Sequence, residues 1–355
     1  MRLAAQEHLS PALDQAVAKH FPADIPKAQR AVLAIDYAAN ERRNRMIRDL
    51  LIELGSAAHW RRIELVALKG CQWLLEDAET LAAWRWMLDI DVLVEPANYH
   101  IMPAVLMELG WAAPGDRGRL FVRRRADSHY HLPPYTRGSL PVFIEVHRHI
   151  GWRPNMLPTE LIFAQRRSVA PGLAVAEPWH AAFHSLMHWQ VQHGGLRRLQ
   201  APLRNVFELV RYLERDDLDF DRLTAQAECV GLQRERDTAL ALAVELFGIR
   251  LPASLAPSAA ARRHVAQCLA IRGSPARAWI AGERGRILAM WDCKRATYRS
   301  FLQGAGPAHM AVALWARRLI RLPLMLLSGL YLVVLGSAKL AHEKLRVRGA
   351  EASRS

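Results

Sequence analysis

Two pairs of residues have the types and spacing for metal chemistry: Asp89 with Asp91 in LDIDVLV, and Glu145 with His147 in IEVHRH. Both segments are short apolar runs and are expected to be strands, where side chains at i and i+2 project from one face about 7 Å apart. Two carboxylates held that close raise one another's pKa, a penalty that a divalent cation with hard oxygen ligands removes. Mg²⁺, or Mn²⁺ in its place, is the ion this pattern suggests. Glu145 would supply a third carboxylate if its strand lies beside the first. Three acids are what a two-metal phosphoryl or nucleotidyl transfer requires, one ion activating the attacking oxygen and the other steadying the leaving group. A DxD alone is weak, because aspartates also cap turns and flank strand ends. The surrounding elements have to decide.

Ahead of the pair, IELVAL (from Ile63) is a strand candidate ended by Lys69-Gly70, and CQWLLEDAETLAAW behind it has a helical pattern. A strand, tight turn and helix present free N–H groups and a positive dipole end to a phosphate, and Gly70 lets backbone come close. An ordinary strand-to-helix turn has the same look. After the pair, Pro96 opens a helix-like stretch through Leu109 that stops at Gly110. Further strand candidates are RLFVRR (119–124) and LPVFIEVHRH (140–149). Apolar residues recur at helical spacing before Gly55, with Pro22 and Pro26 as punctuation, and again beyond Pro178. The expected fold class is therefore α+β. Its expected parts are an N-terminal helical region (1–57), a sheet domain (58–170), a helical domain (171–308) and a hydrophobic helix with a basic tail (309–355).

The order of these motifs resembles the uncharacterised nucleotidyltransferase family of the DNA polymerase β-type superfamily. The matching stretches are ALKGCQWLL (67–75), WRWMLDIDVLV (84–94), HLPP (131–134), IEVHRHIGW (144–152) and HSLMHWQVQHGGLRRL (184–199). The resemblance implies a polymerase β-like sheet domain, an NTP substrate and an unidentified acceptor. It implies Asp89, Asp91 and Glu145 as catalytic metal ligands, Lys69 with Gly70 as the phosphate-facing turn, and Arg85, His184 and His188 as nucleotide contacts. Two positions depart from the family: the usual Gly-Ser of the turn is Gly70-Cys71, and Asn205 stands where an aspartate is usual. A catalytically silent nucleotide-binding or scaffold protein is the competing reading that the altered turn favours.

His180, His184 and His188 at i, i+4 and i+8 share a helical face, which leaves open a zinc site, a polar face between domains, or contact with nucleotide. Arg197, Arg198 and Arg204 behind them suggest a basic wall for a triphosphate or a solvated charged face. The tryptophans are scattered through apolar contexts and suggest packing, with no base-stacking platform.

Composition sets the outer bounds. The formal charge of +14, from 48 Lys and Arg against 34 Asp and Glu, favours a polyanionic partner. No helix-turn-helix, RRM or zinc-finger signature supports a nucleic-acid reader. Cys71, Cys229, Cys268 and Cys293 form no CxxC pair, and the N-terminus lacks a signal-peptide core, so a cytoplasmic location is expected. LPLMLLSGLYLVVLG (322–336) is shorter than the roughly 20 residues of a span. Docking on protein, or peripheral contact through 319–348 with the inner face of the membrane, are both open for it.

Overall fold

The computed structural model of the chain describes residues 2–20, 25–77, 79–113, 129–151, 153–274 and 276–285, with Leu335, Ser337 and Lys339. The expected strand at 119–124 and all but Leu335 of the apolar stretch 322–336 lie outside these residues. Among the described residues no helix is long and apolar enough to cross a membrane.

The fold is α+β, organised on a six-stranded mixed sheet of order β3-β4-β2-β1-β6-β5. The strands are β1 (Leu65–Ala67), β2 (Asp89–Leu93), β3 (Tyr135–Thr136), β4 (Phe143–His147), β5 (Arg167–Ala170) and β6 (Leu173–Val175). β1 pairs antiparallel with β2 and parallel with β6, and β2 pairs parallel with β4. Central strands need apolar residues on both faces. Leu65, Val66, Ala67, Ile90, Val92, Ile144 and Val146 meet that need and are buried. The short β5–β6 hairpin, turned by Gly172, was not expected from the sequence; its strands are too brief to carry a period.

Helices α1 (Arg2–Gln6), α2 (Ser10–His20) and α3 (Lys27–His59) precede the sheet. The buried residues of α3 include Leu33, Asn40, Asn44, Ile47, Leu51, Leu54 and Ala58, one stripe along the helix. Near its end α3 crosses β6 at backbone range: a Cβ at Gly55 would overlap Leu173, and one at Gly172 (φ +71°) would overlap the Gly55 carbonyl. Helix α4 (Gly70–Glu76) is shorter than expected. Asp77 leaves the helical region (φ −107°, ψ 70°) and accepts hydrogen bonds from the Thr80 N–H and hydroxyl, so the chain turns where the sequence pattern continues. Helix α5 (Met102–Glu108) ends before Gly110 as expected, and α6 (Thr159–Gln165) follows β4.

From Pro178 onward the regular elements among the described residues are helical: α7 (Pro178–Met187), α8 (Leu203–Leu213), α9 (Phe220–Cys229), α10 (Gln233–Phe247) and α11 (Ala259–Arg272). α7 runs into a π-helical turn over His188–Gln192. The chain divides into two compact units. The first is Met1–His188 with Pro202–Arg236, and it holds the sheet, α7, α8 and α9. The second is Trp189–Ala201 with the chain from Asp237 onward; within it Arg272 donates to the Ala201 carbonyl and Lys339 lies over Trp279.

Candidate active site

The parallel register of β2 and β4 sets Asp91 beside Glu145 and Leu93 beside His147, so both chemical pairs project from one face of the sheet. One ligand atom each from Asp91, Glu145 and His147 lies within 4.8 Å of the others. No other group of His, Cys, Asp and Glu comes together this way among the described residues, and His180, His184 and His188 do not. His147 Nε2 is 2.9 Å from Asp91 Oδ1 and 3.7 Å from Glu145 Oε2. Since a carboxylate can only accept, the proton belongs on Nε2, leaving Nδ1 buried without a partner. Asp89, two residues before Asp91, lies outside this group and lines the neighbouring pocket instead.

Burial drives the Asp89 and Glu145 carboxyls upward, Asp91 adds to both shifts, and Glu145 reaches about 7. Asp91 goes the other way. Burial opposes its charge, but Lys69 and the His147 hydrogen bond hold its carboxyl well below the usual carboxylate range. Lys69 Nζ donates to Asp91 Oδ1 at 3.0 Å, and although burial works against its charge, Asp91, Asp89 and Glu145 raise its pKa. A buried ammonium thus already serves as counter-ion to the acids. Lys69 has φ 50° and ψ −124°, a left-handed backbone costing roughly 1–3 kcal/mol in a side-chain-bearing residue. Strain of that size at the turn marks a position the surroundings impose.

Packing also requires a glycine at position 70. The space a Cβ would fill there is taken by Met87 Sδ and Arg85 Nη1, so glycine lets the arginine lie on the turn. Cys71, standing for the usual serine, has its Sγ 3.9 Å from the Asp89 carbonyl, and burial pushes its thiol up. It is a packed thiol, tied to the back of β2.

Arg85 is held by an apparatus the sequence did not reveal. Its Nε and Nη2 donate to the two Glu208 carboxylate oxygens, each at 3.0 Å, in a buried fork, while Nη1 has no partner. The loop before it contains two left-handed residues, Leu81 (φ 50°) and Ala82 (φ 42°). Two buried amides of α3 secure that loop. Asn40 Nδ2 donates to the carbonyls of Ala83 (2.7 Å) and Arg85 (2.9 Å). Asn44 Nδ2 donates to those of Leu81 (3.1 Å), Ala82 (2.9 Å) and Arg85 (3.0 Å).

Between the acids and this arginine opens a small pocket of about 70 Å³. Lys69, Arg85, Asp89, His184, His188, Arg204, Asn205, Glu208 and Tyr212 contribute to its walls. His184 is buried and kept neutral, its pKa lowered to about 3 by burial, Lys69 and His147. His188 is half-buried at the wall; His180 is buried with neither ring nitrogen partnered, and is not part of the pocket. Arg204 lines the pocket, whereas Arg197 and Arg198 belong to the second unit. Beside the acids, the rings of Tyr130 and His131 stand 5.8 and 5.1 Å from His147.

The sequence reading missed Glu208, Asn40 and Asn44 altogether. A signal existed: each stands on the apolar stripe of its helix, where a polar side chain implies a specific partner.

Sheet and pocket together define an α+β protein with a possible metal-holding carboxylate and imidazole group beside a cation-lined pocket. The family described as "Uncharacterised nucleotidyltransferase" matches residues 1–248, and the chain belongs to it. It is a nucleotidyltransferase by that membership. No curated protein and no solved structure matches.

Proposed function

We propose that the chain moves a nucleoside monophosphate from a Mg²⁺- or Mn²⁺-bound NTP to an acceptor hydroxyl or phosphate, with pyrophosphate leaving. The observation carrying this reading is the β2–β4 register, which brings carboxylates from two strands together, with Asp89 two residues away on the pocket wall. Asp91, Glu145 and, from the pocket side, Asp89 are the residues to hold the ion. The donor set fits a hard cation, since it offers carboxylate oxygens with the His147 N–H orienting one of them. When bound, the ion neutralises charge on the phosphates and on the attacking oxygen. Lys69 then shares Asp91 with a second cation and can serve a phosphate. Arg85, with an unpartnered Nη1 lying over Gly70, and Arg204 supply further donors for the triphosphate. Glu145 either completes the ion's ligands or accepts the proton of the attacking hydroxyl. His184 and His188 face the nucleotide from α7 and its π turn.

We read the sheet as polymerase β-like, with residues 58–170 as its catalytic domain and part of 171–308 walling the pocket. The acceptor stays unidentified, and membrane contact through 319–348 remains part of the proposal because Arg317, Arg318, Arg321, Lys339, Lys344 and Arg346 flank the apolar stretch. The packed Cys71 favours one rival, a silent nucleotide-binding or scaffold protein. Pyrophosphate release from a panel of NTPs with Mg²⁺ and whole-cell extract separates the two: release with labelling of an extract component is expected. Mg²⁺-dependent NTP binding without any release would support the rival, and neither binding nor release would end both.

A further inference from the structure

Trp86 follows Arg85 in sequence and is half-buried. His8, an exposed residue, lies parallel to it, with centroids 4.1 Å apart and planes 10° from each other. Arg43 and Arg204 place their guanidinium carbons 5.5 and 5.6 Å from the indole centroid. The depression they enclose is lined by His8, Trp86, Arg204 and Phe207, and it shares Arg85, Arg204 and Glu208 with the carboxylate pocket.

From this geometry we infer that the Trp86 face is the nucleobase subsite of the NTP, and that His8 holds the base's place when no nucleotide is bound. The inference rests on the NTP reading above and deepens it. A flat heteroaromatic ring stacked on an indole is the arrangement a base would adopt, and base–aromatic stacking tolerates any of the four bases. At 4.1 Å the two rings leave no space for a third between them, so a base takes the position of His8. The imidazole is held there weakly. His8 is exposed, its backbone has φ 56°, and it joins the five-residue α1 to α2. Arg204, shared by the two depressions, marks the route from base to phosphates: its guanidinium flanks the indole and its side chain also walls the acid pocket. Arg43 adds a cation on the indole, which favours an electron-rich ring partner.

The test is calorimetric titration of the full chain with each of four ribonucleoside triphosphates and, separately, inorganic tripolyphosphate, all with Mg²⁺. Trp86→Ala is expected to weaken binding of the preferred NTP about 10-fold or more and tripolyphosphate by no more than about 2-fold, because stacking is lost outright while Arg204 loses only its contact with the ring. Trp86→Phe should restore most of the NTP affinity, and His8→Ala should tighten NTP binding several-fold without changing tripolyphosphate. Melting curves confirm that each variant is folded, and His8→Ala, at an exposed position, keeps the test decisive if Trp86→Ala does not fold. NTP binding by the wild type that neither Trp86→Ala nor His8→Ala alters would overturn this inference and leave the proposed function standing. A wild type that binds no NTP would overturn both.

Discussion

The acid group beside the pocket and the basic wall of the pocket are built by different means. Asp91, Glu145 and His147 sit on adjacent strands, and backbone pairing alone brings them together. Arg85 sits on a loop with left-handed residues, and its place depends on Asn40 and Asn44 more than 40 positions before it and Glu208 more than 120 after it. A strand register is one cooperative unit that tolerates change at any single side chain. The basic wall is a chain of separate buried polar contacts, each able to fail alone.

The largest expected effect separates two neighbouring aspartates of β2. Asp89→Asn and Asp91→Asn should each lower transfer by three orders of magnitude or so, as loss of metal-borne charge stabilisation does. Their stabilities should part. Asp89 is a carboxyl strained upward by burial and by Asp91, so its amide leaves the melting temperature unchanged or raised. Asp91 is the partner of a buried lysine, and removing its charge orphans Lys69 at about 3 kcal/mol. Thermal melts of both variants decide this; equal melting temperatures would mean the Lys69–Asp91 pair carries no net stability.

Glu208→Gln probes the basic wall. It leaves the Arg85 guanidinium buried with one weak acceptor, and about 3 kcal/mol of stability should go with it. In steady-state kinetics KM for NTP should rise roughly 10-fold, with a smaller change in kcat, because the fork aims a binding group and leaves the acids in place. A kcat loss with unaltered KM would assign Glu208 to the chemistry.

Asn44→Leu is expected to have the smallest effect of the three. It fills similar volume but leaves the Leu81, Ala82 and Arg85 carbonyls short of a donor, with about 2 kcal/mol lost in denaturant unfolding. Arg85 keeps its Asn40 contact, so NTP affinity should drop only a few-fold. A stability cost near zero would show that the loop holds its left-handed turns unaided.

The same contrast explains what could be read in the sequence. The i, i+2 spacing of Asp89 with Asp91 and of Glu145 with His147 survives in one dimension because a strand preserves it. The β2–β4 neighbourhood stands in the sequence only as a condition on Glu145 joining the aspartates, because nothing local to either strand states its neighbour. Nothing local announces that Asn44 caps carbonyls near residue 82, or that Glu208 receives Arg85. Those contacts are set by tertiary packing, and the sequence shows only polar residues on apolar stripes. The spacing treats the two aspartates alike, whereas the Lys69 contact falls on Asp91. The ring of His8 across Trp86 is likewise invisible in sequence.

The close crossing of α3 over β6 has a consequence for length. Asn40 and Gly55 are 15 residues apart on one straight helix, about 22 Å. Gly55 is locked against Gly172 and Asn40 must meet the Arg85 carbonyl, so the helix works as a phase gauge as well as a strut. Inserting one residue between them would rotate the amide by about 100° away from its carbonyls. Seven would return it to nearly the same bearing, displaced by about 10 Å and beyond reach of the loop. Neither error can be absorbed by side-chain adjustment, so the spacing between these two positions is fixed in rotation and in distance at once.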